Sequence, residues 1–466
     1  MLNIGPNIGA NPQPKMIILE LNELCPPLMD KFMGEGLLPH FEKLYARSEV
    51  FQTYATDEDL EPWVQWVTFH TGKPQAIHGT TQLDEGYRIS EPHFWDRLAA
   101  KGVTSVIFGS MNSRPSATPA IFVLPDPWTV HFEPSDPSYE PFHSFIRKHV
   151  TEHTNPELHT SAAAVVDFAK FMVGHGLSLR SVMAAVSQLS LERLVDENLK
   201  WRRALILDKL MWDVFENTYR RRSPNLATFF ANGTAYVQHR YWRHMDPDPY
   251  LVKPSNHDIA LYGNAVSYAY QCMDKLVDRA MRLIGSEGAL VFVTALSQEA
   301  NLRYEEIGGK FVYRARNFNR LLEWCGAPAG VSIEPVMTHE AWATCACEEE
   351  AVACERAILG IESNGKTVMS AKRSGSRVFF CCNLIRKQAD DFSIVSIQTG
   401  QSALFTDFFS LVGQVNNSQH NRSGCFWMMH PGAEHKVHDE KIPLEKAGQY
   451  VIDYYQEVRG SASASE

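Results

Sequence analysis

Residues Met16–Pro27, MIILELNELCPP, decide how the rest of the chain is read. Met16–Leu21 is a short apolar run with one charged member, Glu20, behind a lead rich in Pro, Asn and Gly. A run of that length reads as a parallel strand buried on both faces. Asn22, Glu23, Cys25 and the Pro26-Pro27 pair stop it, and LMDKFMGEG starts a helix behind the prolines. Leu38-Pro39 opens a second helical stretch. HFWDRLAAKG then reads as a helix closed by Gly102, leading into a second buried strand at Val103–Phe108. Strand, helix, helix, strand is the order of a doubly wound α/β sheet, mostly parallel, with helices on both faces.

Working outward, Pro115–Pro141 reads as a long ordered loop, rich in Pro, Asp and Ser but retaining aromatics. No proline lies between Pro156 and Pro224, and apolar residues recur there at helical spacing. This predicts a helical insertion of about three helices over roughly 157–223. Strands are expected at Leu226–Ala231, Ala289–Thr294 and Val378–Cys382, a long helix over about Asp258–Ile284, and a closing helix near Lys446–Val458. Residues 1–15 and 459–466 are expected to be disordered, leaving one α/β domain over 16–458.

Composition sets bounds on function. Of 466 residues, 44% are hydrophobic and 21% charged, ordinary values for a chain with a large core. The net charge of −10 argues against a nucleic-acid partner. The first fifteen residues carry no secretion pattern, and no 18-residue apolar stretch follows, so no membrane partner and a cytoplasmic location are expected. Nine scattered cysteines fit reduced thiols, and Cys345, Cys347 and Cys354 lack a fourth ligand for a metal site. A small-molecule substrate remains the expected partner; nothing in the sequence speaks to oligomeric state.

Several polar residues fall at presumed C-terminal strand ends, where ligands collect in open α/β sheets. Asn22 and Glu23 follow the first strand, Asn112 and Arg114 the second, Asn232 the third, and Ser297 with Gln298 the fourth. Their convergence outlines a pocket able to hydrogen-bond a polar substrate. The alternative is that amides end strands simply as turn formers.

Three blocks in order resemble the alkaline phosphatase superfamily, especially its phosphodiesterase and nucleotide pyrophosphatase branch. The first strand resembles the one ending in that family's metal-binding Asp. Thr68–Gly79, TFHTGKPQAIHG, resembles its T-x-x-TG-x-x-P-x-x-HG block. Val237–Trp242, VQHRYW, resembles part of its D-x-x-x-H-x-x-W segment, and Leu290–Gln298 stands where it carries a strand and SDHG. The resemblance implies that fold and a site in which two divalent metals clamp a phosphoryl group while a Ser or Thr attacks.

At the positions implied, the chain departs from the family. The metal Asp falls on Asn22, the nucleophile on Pro62, the next Asp on Ala235, and Ala295–Gln298 lacks both Asp and His. Thr53, Thr56 and Thr68 are nearby hydroxyls, with Thr68 read as structural. The groups carried over are Glu23, His239 and Asn22 as catalytic candidates, and Glu20, His239 and His430 as a reduced metal set. This set suits one divalent metal (Zn, Mn or Mg) or none. His435 and His438 extend a His-rich stretch after His430 and read as an exposed loop. The expectation is a hydrolase or transferase acting on a phosphate, phosphonate or sulfate ester with altered chemistry; the alternative is a non-catalytic binding protein of the same fold.

Overall fold

The computed structural model describes residues 14–414 and 417–463. The run Met16–Leu21 is the central strand, flanked in parallel by Leu226–Ala231 and Ala289–Thr294. Beyond Leu226–Ala231 lie the parallel strands Ser105–Phe108 and Ile121–Leu124. Beyond Ala289–Thr294, the antiparallel Ser423–Met429 is inserted and then Glu49–Tyr54, which runs with the parallel set.

Both faces of the sheet are covered, as the doubly wound pattern requires. Ile17, Leu19 and Leu21 point into one core with Phe41, Trp212, Val237 and Leu276. Met16 and Ile18 point into a second with Trp66, Phe69, Trp95 and Val451. This is the period-2 alternation of a strand, and each such buried side chain contributes about 1.5–3 kcal/mol. The second layer comprises the helices Pro62–Thr71, Phe94–Ala99 and Leu444–Ser463. Gly448 lets the last approach the first: a Cβ there would lie 2.4 Å from the Phe69 carbonyl oxygen.

Several elements differ from expectation. The stretch Pro115–Pro141 contains the edge strand Ile121–Leu124, too short to show a period among its prolines. The long helix is two, Asn256–Tyr262 and Ala265–Ile284, broken at Gly263-Asn264. Glu49–Tyr54 and Ser423–Met429 were not expected as strands, yet both belong to the main sheet. The helices Ala162–Gly174, Leu179–Leu194 and Arg203–Arg222 occupy the proline-free stretch. Residues of 313–409 form a separate core, with Leu321, Ile358 and Phe380 at 4% exposure or less, beneath small antiparallel sheets. The closing helix runs on to Ser463. The expected disordered lead falls largely on residues 1–13, and the last of the expected tail on 464–466, outside the described residues. All nine cysteines are free, and no helix among the described residues is long and apolar enough to cross a membrane.

Candidate active site

The C-terminal ends of the parallel strands share one edge of the sheet, and strand direction decides what joins them there. Ser423–Met429 is antiparallel, so its beginning pairs with Thr294 and Tyr54 while its end pairs with Leu290. His420, just before this strand, therefore lies at the site edge. His430, just after it, lies at the opposite edge, about 20 Å of strand away. There His430 sits 3.5 Å from Glu49 and does not join His239. His435 accompanies it through the Ser48 carbonyl, and His438 stacks on Phe51 with ring centroids 4.0 Å apart.

Glu23 is the centre of the site. It leaves the strand end with φ +60°, a left-handed conformation that a non-glycine residue adopts at a cost. The Gln238 amide donates to its carbonyl at 2.8 Å. Its carboxylate Oε1 accepts from Asn22 Nδ2 at 2.8 Å. Oε2 accepts from Gln298 Nε2 and faces His239 Nε2 at 3.1 Å and His420 Nε2 at 3.5 Å. His420 Nδ1 lies 3.6 Å from Glu61 Oε2, at the mouth. The carboxylate is 3% exposed, whereas His239 is 29% and His420 18% exposed, so the imidazoles form the accessible rim.

The helix Gly233–Met245 delivers His239. Ala235, Gln238 and His239 fall at i, i+3 and i+4, so one face presents the Ala235 carbonyl to Gln298, the Gln238 amide to the Glu23 backbone and the His239 ring to the Glu23 carboxylate. Tyr270 locks Gln238 with a 2.7 Å hydrogen bond. The helix begins where Asp208 accepts from the Gly233 N–H at 3.2 Å; a Cβ on Gly233 would fall 2.2 Å from that carboxyl oxygen.

Burial raises the Glu23 pKa, but the charges of His420 and then His239, with their hydrogen bonds, outweigh it and hold the carboxyl well below the usual range. Burial lowers the His420 pKa, and Glu23, Glu61 and Asp59 more than reverse this, leaving it raised. Glu61 is raised, chiefly by burial.

The donor set fits a cation. Gln298 gives its N–H to Glu23, so its carbonyl accepts the Ser418 hydroxyl proton. Ser418 Oγ is then left to accept from His239 Nδ1 at 3.4 Å, which turns the lone pair of His239 Nε2 toward Glu23 Oε2. Two electron-rich atoms 3.1 Å apart require a proton or a metal ion between them. Ligand atoms of Glu23, His239 and His420 all lie within 4.8 Å of one another, a two-His, one-carboxylate set suited to one divalent metal. Asn22, Ala235, Leu296 and Ser297 bring no carboxylate to this cluster, and Gln298 donates to Glu23 Oε2.

The other expected residues divide clearly. Asn22 is spent on positioning: its two N–H groups go to Glu23 and Asn232, and its oxygen accepts from Trp66 at 2.8 Å. Glu20 shares Asn22's face but lies one strand repeat deeper, where it meets His70 at 2.9 Å with both side chains fully buried. Trp66 and His70 are one helical turn apart, about 6 Å, matching the about 6.6 Å between Asn22 and Glu20. Glu20 therefore does not reach His239, which corrects the expected metal set. Asn112 is buried and holds the Trp63 and Gln82 carbonyls and the Glu85 N–H. Arg114 turns to Ser90 and Asp96. Asn232 and Gln298 border the site through Asn22 and Glu23, while Ser297 is buried beside Asn421 in a strand pair. Thr68 is structural: its hydroxyl lies 3.0 Å from both Asp57 and His78, and His78 in turn accepts from the Thr80 N–H.

Sequence reasoning missed His420, Ser418 and Glu61. The signal available was the run CFWMM, Cys425–Met429, with a histidine on each side; only its antiparallel direction selects His420 over His430.

No protein-family model matches this chain, and no curated protein matches it. Among solved structures it is similar to the phosphonoacetate hydrolase of Sinorhizobium meliloti 1021 in complex with phosphonoformate, at 14% identity and a TM-score of 0.42, over 95% of this chain and 97% of that one. It is also similar to murine ectonucleotide pyrophosphatase/phosphodiesterase 5, at 9% identity and a TM-score of 0.39, over 95% of each chain. The human ectonucleotide pyrophosphatase/phosphodiesterase 5 stands at 8% identity and a TM-score of 0.38, again over 95% of each.

Proposed function

We propose that this chain is an enzyme that cleaves or transfers a small phosphate, phosphonate or sulfate ester at the Glu23–His239–His420 centre. The observation that carries the reading is the convergence of two imidazoles on one buried carboxylate at the C-terminal edge of the sheet. The ordered sequence blocks that resemble the alkaline phosphatase superfamily support the substrate class. Glu23, His239 and His420 would hold one divalent metal, which when bound supplies Lewis-acid polarisation of an ester oxygen.

The chain's own groups support a route without a side-chain nucleophile. Pro62 has no nucleophilic atom, and the Thr68 hydroxyl is tied between Asp57 and His78. In this reading the attacking oxygen is that of water, for hydrolysis, or of an acceptor hydroxyl, for transfer. Its bond to phosphorus or sulfur forms as the bond to the leaving oxygen breaks. Glu61, partly exposed beside His420, is placed to take the proton of the attacking group, and solvent protonates the leaving oxygen. Asn22 and Gln298 hold Glu23 in register, and Gln238 fixes its backbone.

The test is a panel of aryl phosphate, phosphonate and sulfate esters, assayed with the protein as purified and after adding Zn, Mn or Mg. Turnover that is lost in His239→Ala and His420→Ala supports the reading. A single in-line displacement inverts a chiral thiophosphate, so retention would remove the direct route. Absence of turnover and of metal binding in the wild-type protein favours the non-catalytic binding protein instead.

A further inference from the structure

We propose that Glu133, Glu140 and His143 form a second divalent-cation site, sharing no residue with the Glu23 centre. Ligand atoms of the three residues all lie within 4.8 Å of one another. One imidazole with two carboxylates suits Zn or Mn. The helix Glu140–Thr151 supplies Glu140 and His143 at i and i+3, on one face. Glu133 comes from the loop before it.

Two neighbouring glutamates alone would be an ordinary solvated surface; His143 makes the difference. It is 2% exposed, and its Nε2 lies 3.3 Å from the Asp126 carbonyl oxygen. A carbonyl can only accept, so Nε2 carries the proton and Nδ1 the lone pair. Nδ1 is buried and has no hydrogen-bond partner. A metal-ligating imidazole is held in this way, its other nitrogen donating to a carbonyl that fixes the tautomer and the ring orientation. That carbonyl is itself pinned, because the Asp126 side chain accepts from the backbone N–H groups of Asn112, Trp128 and Thr129.

Glu140 repeats the pattern. Its Oε1 accepts the Ser144 hydroxyl proton, which leaves Oε2 buried with no partner. Glu133 lies within hydrogen-bond reach of Glu140, and two carboxylates in contact need a proton or a cation between them. Arg147, one turn along the helix, acts on both glutamates through its field and not through a hydrogen bond. A buried imidazole lone pair and a buried carboxylate oxygen, both unmet, therefore converge with a third ligand that is exposed. Glu133 and Ser144 also line a cleft of about 700 Å³, so an ion has a path in from solvent. Bound there, the ion ties the loop after the edge strand Ile121–Leu124 to the first turn of the helix.

The probe is Mn²⁺, titrated into the full-length double variant His239→Ala, His420→Ala, which keeps the Glu23 centre out of the count. Binding is read from the loss of the free-ion paramagnetic resonance signal. The expected result is one bound ion whose affinity falls at least about tenfold when Glu133→Gln is added. Glu133 is exposed, so that change leaves the fold intact. Pulsed resonance should show one imidazole nitrogen coupled to the bound ion. No binding at about 1 mM Mn²⁺ overturns the site, as does a bound ion without nitrogen coupling or one that Glu133→Gln leaves unchanged. If the double variant does not fold, the same comparison on the wild-type chain decides: Glu133→Gln removes one ion from the count, or the site is overturned.

Discussion

Glu20 and Glu23 stand three residues apart, and each meets an imidazole, yet the two pairs have opposite characters. Glu20–His70 is sealed: both side chains have zero exposure, and the helix Pro62–Thr71 closes over them. Glu23 is also buried, but its partners His239 and His420 reach solvent, and Glu61 stands 39% exposed beside them. Regular strand alternation keeps Glu20 under the helix. The left-handed turn at Glu23 takes its carboxylate out of that alternation and toward a different helix. The same two residue types thus make a strut in one place and an accessible centre in the other, and a single backbone dihedral separates them.

The sharpest way to break this contrast is to remove the rim. His239→Ala or His420→Ala should lower kcat/KM by about a thousandfold, about 4 kcal/mol of transition-state stabilisation, with a smaller change in Tm. The corresponding change in the sealed pair should act on stability. Glu20→Ala leaves the His70 imidazole buried without its partner, and should cost about 1–3 kcal/mol in denaturant unfolding while the folded fraction responds to added divalent metal as the wild type does. If Glu20→Ala instead abolished metal binding in folded protein, the division between strut and centre would be wrong.

Asn22 lies between the two pairs and sharpens the comparison further. Asn22→Asp removes the donors to Glu23 and Asn232 and sets a second carboxylate beside the first. The expected cost is about 2 kcal/mol without metal, recovered in part on adding a divalent cation, as thermal unfolding with and without Zn or Mn would show.

Asp208 is a buried carboxyl held by the Gly233 N–H, without an imidazole, and burial pushes it up to about 7. A carboxyl whose folded pKa lies above its unfolded value contributes stability that is fully present below the unfolded value and lost as pH rises through the folded one. Wild-type stability should therefore decline between about pH 4 and 7 through this group. Asp208→Asn should flatten that decline, so the Tm difference between variant and wild type grows in the variant's favour from pH 5 to pH 8. A Tm difference constant with pH would show that Asp208 does not titrate there.

Much of the frame was legible because it rests on local rules. Met16–Leu21, Leu226–Ala231 and Ala289–Thr294 are apolar runs of strand length, and a strand buried on both faces leaves no other reading. Ser423–Met429 is as apolar, but it is one strand among mixed segments, and Glu49–Tyr54 shows only partial alternation. The site was half legible for the same reason. Glu23, Asn22, Gln298 and His239 follow or flank strands whose direction the α/β pattern implies. His420 and Glu61 depend on strands whose place and direction are not local properties.

The amino-acid sequence by itself determined the parallel core and the polar residues at its strand ends; these follow from residue type and short-range periodicity. Only the tertiary structure decided which carboxylate meets which histidine. Glu20 was drawn to His70 by a helix laid across the strand. His430 was sent to the far edge by an antiparallel strand, and His420 was brought to Glu23 by the same strand's other end. Side-chain partners across hundreds of residues are set by strand order and direction, which long-range packing chooses and no local pattern encodes.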